Sequence, residues 1–151
     1  MPGKSPPRRR FPVLQAGRAR APGAAAVLAA LADRGVRQSV VTGNVRAAAE
    51  VKLAVFGLDS YLNLDCGAYA EDGERRPELL RAALAHAEVA PEKTVFLGDT
   101  PADVAGGQAA GVRVVAVATG RTPTTELRYA GADIVLEGLS DTEHALAAIG
   151  A

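Results

Sequence analysis

The stretch TVFLGDTPAD, residues 94–103, decides the fold of this 151-residue chain. Its first half is an apolar run bounded by glycine, which is typical of a buried parallel strand. Asp99 follows at the carboxyl end of that strand, where open α/β sheets bind ligands, and Pro101 suits the first turn of a helix. Asp103 lies four residues after Asp99, so the pattern predicts a carboxylate pair that Mg²⁺ would neutralise. The alternative is a helix-capping Asp99 and an ordinary surface Asp103.

A second run of the same form, residues 39–44, ends in a hydroxyl and a glycine. Thr42, Gly43 and Asn44 follow its β-branched residues directly. A hydroxyl beside backbone N–H groups at the end of a strand forms a compact oxyanion nest. The alternative is a simple turn in which Thr42 satisfies the local backbone. Together the two runs predict one metal-and-phosphate site at neighbouring strand ends.

Helix and strand patterns alternate from Ala24 onwards. This alternation predicts an α/β fold of three layers, with a Rossmann-like parallel sheet between helices. Tyr61–Cys66 is predicted as a short extended piece, residues 67–76 as a polar loop, and Asp141 as the cap of the last helix. The predicted helices are residues 24–34, 45–56, 77–89, 101–110, 124–130 and 142–149, and the predicted strands are residues 38–42, 94–98, 113–118 and 133–136.

Three motifs in this order resemble those of a known family. The segment 42–44, the pair Arg76-Pro77 and the segment 98–103 look like the second, third and fourth motifs of haloacid dehalogenase-like hydrolases. The phosphoglycolate-phosphatase-like branch is the most similar. The resemblance covers residues 20–149, which correspond to the carboxyl-terminal part of the family's core.

The resemblance implies a Mg²⁺-dependent phosphatase that acts on a small phosphorylated metabolite. Thr42, with the two residues after it, would hydrogen-bond the phosphoryl group, and Arg76 would balance its charge. Asp99 would ligate Mg²⁺, and Asp103 would orient the water shell of the metal. Positioning and electrostatic stabilisation of this kind carry most of the catalysis in phosphoryl transfer.

Arg76 departs from the family's pattern, in which lysine usually precedes the proline. A guanidinium can also hold phosphate oxygens, through two parallel hydrogen bonds. The alternative is that Arg75 and Arg76 are solvated loop charges. Lys52 and Lys93 are rivals for the cationic role, although Lys52 falls in a predicted helix and Lys93 precedes a predicted strand. We favour Arg76.

The family's nucleophile has no counterpart here. In the family an Asp-x-Asp motif ends the first strand, where the first aspartate attacks phosphorus and the second serves as general acid and base. No acidic residue precedes Asp33, which lies near a helix end closed by Gly35. Phe11–Gln15 would fill the gap in the sheet only poorly, because Pro12 cannot donate a hydrogen bond in a central strand. We therefore expect a core that lacks the nucleophile strand, and also the helical cap.

Two functional hypotheses remain open at this stage. The first is a phosphomonoester hydrolase by family that is inactive as this chain. The second is a non-catalytic pseudoenzyme that binds phosphate or metal, or a truncated gene product. A phospho-receiver domain shares the architecture, but it needs an early acidic pair and a phosphoacceptor aspartate at the third strand, and the sequence has neither.

The amino-terminal segment differs in composition from the rest. Residues 1–20 carry six basic and no acidic residues, so that the remainder carries −6 in a chain of net charge zero. This proline-rich composition predicts a disordered tail over residues 1–22, ahead of an incomplete core over residues 23–150. A nucleic-acid-binding arm, a solvated tail and translation from a misplaced start are alternatives. We expect no nucleic-acid partner, since no aromatic or basic surface accompanies the arm.

The remaining composition is that of one globular domain. Hydrophobic residues make up 48% and the mean hydropathy is +0.08. The single cysteine, Cys66, excludes an internal disulfide and favours a cytoplasmic location, and no apolar run is long enough for a membrane span. Gly106–Gly111 falls at a helix end and is expected to serve packing, and His86 and His144 are expected to be structural or exposed. The oligomeric state stays open.

Overall fold

Five short apolar runs form one parallel sheet. The computed structural model describes residues 10–15, 17, 21–118 and 121–150. The sheet order is β2-β1-β3-β4-β5, and every neighbouring pair is parallel. Helices cover both faces of such a sheet, which is why its strands are continuously apolar. The strands are β1 (Phe11–Gln15), β2 (Ser39–Val41), β3 (Thr94–Gly98), β4 (Arg113–Val117) and β5 (Ile134–Leu136).

All six predicted helices are present, with ends that differ from the prediction by at most two residues. The last helix is capped as expected, since the Asp141 side chain accepts a hydrogen bond from the His144 N–H at 3.1 Å. Among the described residues, none of the helices has both the length and the apolarity for crossing a bilayer. The helices are α1 (Ala24–Asp33), α2 (Arg46–Val55), α3 (Arg76–Ala87), α4 (Pro101–Ala110), α5 (Thr124–Tyr129) and α6 (Thr142–Ile149).

The two faces of the sheet are buried against different helices. On one face Leu97 belongs to the same core cluster as Leu31 of α1 and Ile149 of α6. On the other face Phe96 shares a cluster with Leu80 of α3. Successive residues of a strand point to opposite faces, so the adjacent positions 96 and 97 serve different layers. The three-layer α/β architecture predicted from the sequence is confirmed.

The prediction that the first strand is missing is wrong. Phe11–Gln15 forms β1 in the middle of the sheet, where Leu14 pairs with Val40 on one side and with Leu97 on the other. Pro12 is tolerated because pairing with β2 begins only at Val13, so β1 has a neighbouring strand on one side alone at the proline. The sequence-based prediction assumed that neighbouring strands pair with both sides of β1 along its whole length, which is not the case at Pro12.

The predicted boundary between tail and core moves accordingly. Within the predicted tail of residues 1–22, Phe11–Gln15 is instead part of the sheet, while residues 1–9 lie outside the described residues. Residues 16–23 are all that separates β1 from α1. A segment of that length has no room for the helical cap domain that follows the first strand in the family.

The segment after α2 is not extended, contrary to the prediction for Tyr61–Cys66. It forms two single 3₁₀ turns, Asp59–Tyr61 and Leu64–Cys66. Several of its backbone groups bond locally, as the Gly67 N–H does to the Leu64 carbonyl at 3.2 Å, and the Asn63 N–H donates to the Gln38 carbonyl at 2.8 Å. Only Ala68 makes a bridge to Val41, at the edge of the sheet.

Candidate functional site

The two predicted halves of the site meet at one edge of the sheet. Thr42 follows the end of β2 and Asp99 follows the end of β3, and β1 lies between these strands. Val41 is in register with Gln15 of β1, and Leu97 with the preceding residue of that strand. The carboxyl ends of parallel strands lie at the same edge, and two strand spacings amount to about 10 Å. Thr42 and Asp99 therefore flank the carboxyl end of β1.

The turn after β2 presents one polar side chain and two exposed residues. Thr42 is buried, and its hydroxyl oxygen accepts a hydrogen bond from the Asn44 N–H at 3.1 Å. The Thr42 N–H donates to the Ala68 carbonyl at 3.1 Å, which fixes the backbone. The turn bond uses an acceptor lone pair of the hydroxyl, and its proton remains able to donate to an anion. Gly43 and Asn44 are exposed.

The Asp103 carboxylate is fully engaged with the protein. Its Oδ2 accepts from the Asp99 N–H at 3.1 Å and from the Thr100 N–H at 3.3 Å. In return, the Thr100 hydroxyl accepts from the Asp103 N–H at 3.1 Å, which completes a capping box at the start of α4. A Cβ on Gly98 would lie 2.6 Å from the Asp103 Cβ, so glycine is required for this close approach. Asp103 thus fixes the loop that carries Asp99.

Arg76 reaches the same carboxylate from α3. Its Nε donates to Asp103 Oδ1 at 3.0 Å, and the two side chains are 22% and 3% exposed. Its Nη1 is buried and has no hydrogen-bond partner within the described part of the chain. A buried donor of this kind is costly unless something pairs with it. The structure therefore brings Arg76 to the edge where the sequence placed it.

The two rival lysines lie away from this edge. Lys93 directly precedes β3 and so belongs to the opposite, amino-terminal edge of the sheet. Lys52 is in the last turn of α2, a helix that begins just after Asn44 and leads away from the carboxyl edge. Arg76 is the only one of the three proposed cations that contacts a predicted site residue in the described structure.

The carboxyl end of β1 carries no carboxylate. The strand ends at Gln15, and the first acidic residue of the chain is Asp33, in the last turn of α1. The Gln15 Oε1 atom is buried and has no hydrogen-bond partner among the described residues. The family's attacking group is thus lacking even though the strand that would carry it is present.

The donors at this edge do not fit a resident Mg²⁺ ion. Mg²⁺ requires near-octahedral oxygen ligands and gives up its water reluctantly. Asp103 already accepts three hydrogen bonds from the protein, which leaves little of its capacity for a metal ion. In the described residues no group of three Asp, Glu, His or Cys side chains is arranged to hold a metal.

One polar cluster beside the site was missed by the sequence analysis. Arg46, the first residue of α2, donates to Asp65 at 2.6 Å and to Glu50 at 2.8 Å. These hydrogen bonds raise the pKa of Arg46 above its ordinary value. The Arg46 N–H also donates to both Glu71 carboxylate oxygens, at 3.1 and 3.2 Å. The four-residue spacing of Arg46 and Glu50 was the one sequence signal for this cluster. The cluster ties the long loop between α2 and α3, residues 56–75, to the start of α2.

Tyr69 and His86 hold the same loop from the other side. The Tyr69 hydroxyl donates to the Leu64 carbonyl at 2.6 Å, and burial raises the pKa of the phenol to about 12. His86 Nδ1 donates to the Gly67 carbonyl at 2.8 Å, and its Nε2 lies 3.8 Å from an Asp72 oxygen. The structural role expected for His86 agrees with these contacts.

The sequence of this chain is similar to those of several phosphatases and related hydrolases. A family model described as haloacid dehalogenase-like hydrolase matches residues 17–117. Phosphoglycolate phosphatase from Rhodospirillum rubrum is 38% identical over 109 residues, which cover 70% of this chain and 45% of that protein. Pyrophosphatase PpaX from Bacillus mycoides is 32% identical over 114 residues, or 74% of this chain and 52% of that protein. The chain spans about half the length of these curated relatives.

A solved structure agrees with the sequence relatives. A HAD family hydrolase from Deinococcus radiodurans, with bound phosphate and sodium, superposes with a TM-score of 0.69 at 27% identity. The match covers 85% of this chain and 59% of the other. On its sequence motifs, sheet order and matched residues, this chain belongs to the haloacid dehalogenase-like hydrolase family, in its phosphoglycolate-phosphatase-like branch.

Proposed function

We propose that this chain binds the phosphate group of a small phosphorylated metabolite at the carboxyl edge of its sheet and does not hydrolyse it. One observation carries the proposal. Thr42 and Asp99 flank the end of β1 as the family's motifs require, while the strand between them ends in Gln15 and has no carboxylate. The binding half of the site is present, and the attacking half is lacking.

Each binding residue has a role that follows from its contacts. The Thr42 hydroxyl donates to a phosphate oxygen, and the exposed turn at Gly43 and Asn44 allows the phosphate to approach the backbone. Arg76 balances the negative charge. Asp103 is a positioning residue, because its two oxygens hold Arg76 and the Asp99 loop. The Deinococcus radiodurans hydrolase, whose structure contains bound phosphate and sodium, supports phosphate as a ligand of this fold.

Turnover needs groups that this chain does not supply. The family's reaction forms an aspartyl-phosphate and then breaks it with a water molecule activated by a second carboxylate. Neither carboxylate has a counterpart before Asp33. Positioning by Thr42 and Arg76 cannot replace an attacking atom, so the bound phosphomonoester remains intact.

The second candidate is the family's own activity, Mg²⁺-dependent hydrolysis of a phosphomonoester. The names of the relatives favour it, since they include a phosphoglycolate phosphatase and a pyrophosphatase. Those two names denote different phosphorylated substrates. In either case we place the protein in a reducing, cytoplasmic compartment, in keeping with Cys66, which is buried and not part of a disulfide.

Turnover is tested with the purified chain, p-nitrophenyl phosphate and Mg²⁺, beside the variant Asp99→Asn. We expect both proteins to release nitrophenol at the rate of a protein-free blank, because neither has a nucleophile. The variant is the control for a contaminating phosphatase, which would act equally in both samples. Hydrolysis well above the blank that disappears in Asp99→Asn contradicts the proposal and favours the second candidate.

Binding is tested by titrating the ¹⁵N-labelled chain with inorganic phosphate and following the backbone amides by NMR. We expect the largest shifts at Gly43, Asn44 and Thr100, which lie at the carboxyl edge. The amide of Lys93, at the amino-terminal edge, is the internal control, and we expect its chemical shift to be unchanged. Shifts confined to the amino-terminal edge, or no shifts at all, contradict the proposed function.

A further inference from the structure

We infer that the phosphate site of this chain works without a divalent cation, with Arg76 as the positive charge that pairs with the phosphate. The inference rests on the proposed function and deepens it. It starts from a disagreement between the family's metal requirement and the residues that this chain presents at the carboxyl edge of its sheet.

The first argument is the loss of metal ligands. The family's motifs bring four carboxylates to this edge, two from Asp-x-Asp and two from the fourth motif. Here the first two are lacking, because the sequence has no acidic residue before Asp33. The third, Asp103, accepts hydrogen bonds from Arg76 Nε and from two backbone N–H groups at 3.0–3.3 Å. A carboxylate with this many protein donors has little capacity left for a cation.

The second argument is the charge of the site. Losing both carboxylates of the Asp-x-Asp motif removes two negative charges, and omitting Mg²⁺ removes two positive ones. The formal charge that faces an incoming phosphate is therefore the same in this chain without metal as in the family's site with metal. A bare metal-binding site repels phosphate unless the cation is present. This chain does not have that repulsion to overcome.

The third argument is the position of Arg76. Its Nε is held by Asp103 at 3.0 Å, which fixes the plane of the guanidinium, and its Nη1 is buried without a partner in the described structure. A guanidinium spreads its charge over several N–H donors, whereas the lysine usual in the family offers a point charge. The replacement of lysine by arginine and the loss of the two carboxylates thus both favour a phosphate site that works without a metal ion.

The inference is tested by repeating the phosphate titration in two buffers of equal ionic strength, one with EDTA and one with Mg²⁺. We expect the same affinity for inorganic phosphate in both. Binding that appears only in the Mg²⁺ buffer overturns the inference and leaves the proposed function intact. Binding in neither buffer overturns the proposed function itself, so the two failures are distinguishable.

Arg76→Gln identifies the source of the charge. We expect phosphate affinity in EDTA to fall about tenfold or more, since the positive charge and its charge-assisted hydrogen bonding are lost. Arg81→Gln is the matched control, because Arg81 is on the same helix and also contacts α4, through the Ala109 carbonyl at 3.0 Å. If Arg76→Gln does not fold, Arg76→Lys replaces it and is expected to bind more weakly than the wild type. Equal affinities for the wild type and the Arg76 variant overturn the inference.

Discussion

Asp103 connects three parts of the molecule through one carboxylate. It accepts from Arg76 of α3, from the N–H of Asp99 after β3, and from the N–H of Thr100 at the start of α4. The side chain is 3% exposed, so water does not substitute for any of these donors. The same residue therefore contributes to the fold and to the placement of the proposed phosphate-binding cation.

Asp103→Asn is expected to destabilise the protein by about 2–4 kcal/mol. The amide oxygen cannot serve both Arg76 and the backbone, and the new NH₂ group would face donors. Urea unfolding followed by circular dichroism measures the effect. Asp59→Asn, the same change at an exposed position, is the control and should stay within about 0.5 kcal/mol of the wild type. Equal stabilities of the two variants would contradict the network described here.

Tyr69 makes the stability of the protein sensitive to alkaline pH. Its pKa is raised to about 12 in the folded protein, chiefly by burial, against an ordinary value of 10.0 in the unfolded chain. The folded state therefore holds more protons between these values, and linkage makes stability fall as pH rises. This contribution is fully present below the unfolded pKa and is lost as pH rises through the folded pKa.

Above about pH 10, we expect the urea midpoint of the wild type to fall more steeply with pH than the midpoint of Tyr69→Phe. The variant lacks the ionisable group, and it also loses the hydrogen bond from the hydroxyl to the Leu64 carbonyl at 2.6 Å. Comparing slopes against pH, and not absolute midpoints, separates the two effects. Parallel slopes would show that the phenol ionises alike in both states.

At the level of elements, helix α4 approaches its neighbours closely because two glycines lie on its packed side. A Cβ on Gly107 would lie 2.3 Å from the Val114 Cγ2, and one on Gly106 would lie 2.8 Å from the Arg76 Cβ. Val114 is fully buried in β4 and has no room to move away. The packing role expected for the segment 106–111 agrees with these approaches.

Gly107→Ala is expected to lower stability by about 2 kcal/mol although alanine is the better helix former. Overpacking in a rigid core costs about 1–3 kcal/mol, with a clash this short at the upper end, and the gain in helix propensity is about 1 kcal/mol. Thermal and urea unfolding measure the difference. The control is Gly43→Ala, whose Cβ would meet nothing within 4 Å. A stabilised Gly107→Ala protein would mean that α4 can shift away from the sheet.

At the scale of the whole molecule, the sheet depends on β1. Among the described strands, β1 is the one that pairs with both β2 and β3. Val13 is fully buried in the core cluster that includes Phe96. Pairing through β1 therefore sets the spacing between the turn at Thr42 and the loop at Asp99.

Val13→Ala is expected to cost about 2–3 kcal/mol of unfolding free energy, from lost apolar burial and the cavity left behind. Val51→Ala makes the same chemical change at a residue of α2 that is 65% exposed, and it should be nearly neutral. If Phe11–Gln15 were part of a solvated tail, as its composition first indicated, both variants would be neutral. Urea unfolding of the pair decides between these arrangements.

Local sequence signals were sufficient to select most of the candidate residues that lie at the carboxyl edge. The residues after the two strands at Thr42 and Asp99 were identifiable because glycine, hydroxyl and carboxylate groups follow an apolar run directly. Arg76 was identifiable from the proline after it. The polar cluster around Arg46 was not, since Asp65 and Glu71 are 19 and 25 residues away in sequence and meet Arg46 only when the long loop folds back.

The sequence by itself determined the alternation of helices and strands, the three layers, and the lack of an acidic residue at the first strand. Periodicity, capping residues and composition are local properties, and they suffice for these conclusions. Only the tertiary structure decided that Phe11–Gln15 is an inner strand between β2 and β3 and that Asp103 is bound by Arg76. A proline-containing segment beside a basic arm has weak local signals, so its place depends on burial between β2 and β3, and the partner of a carboxylate is fixed only when α3 packs on α4.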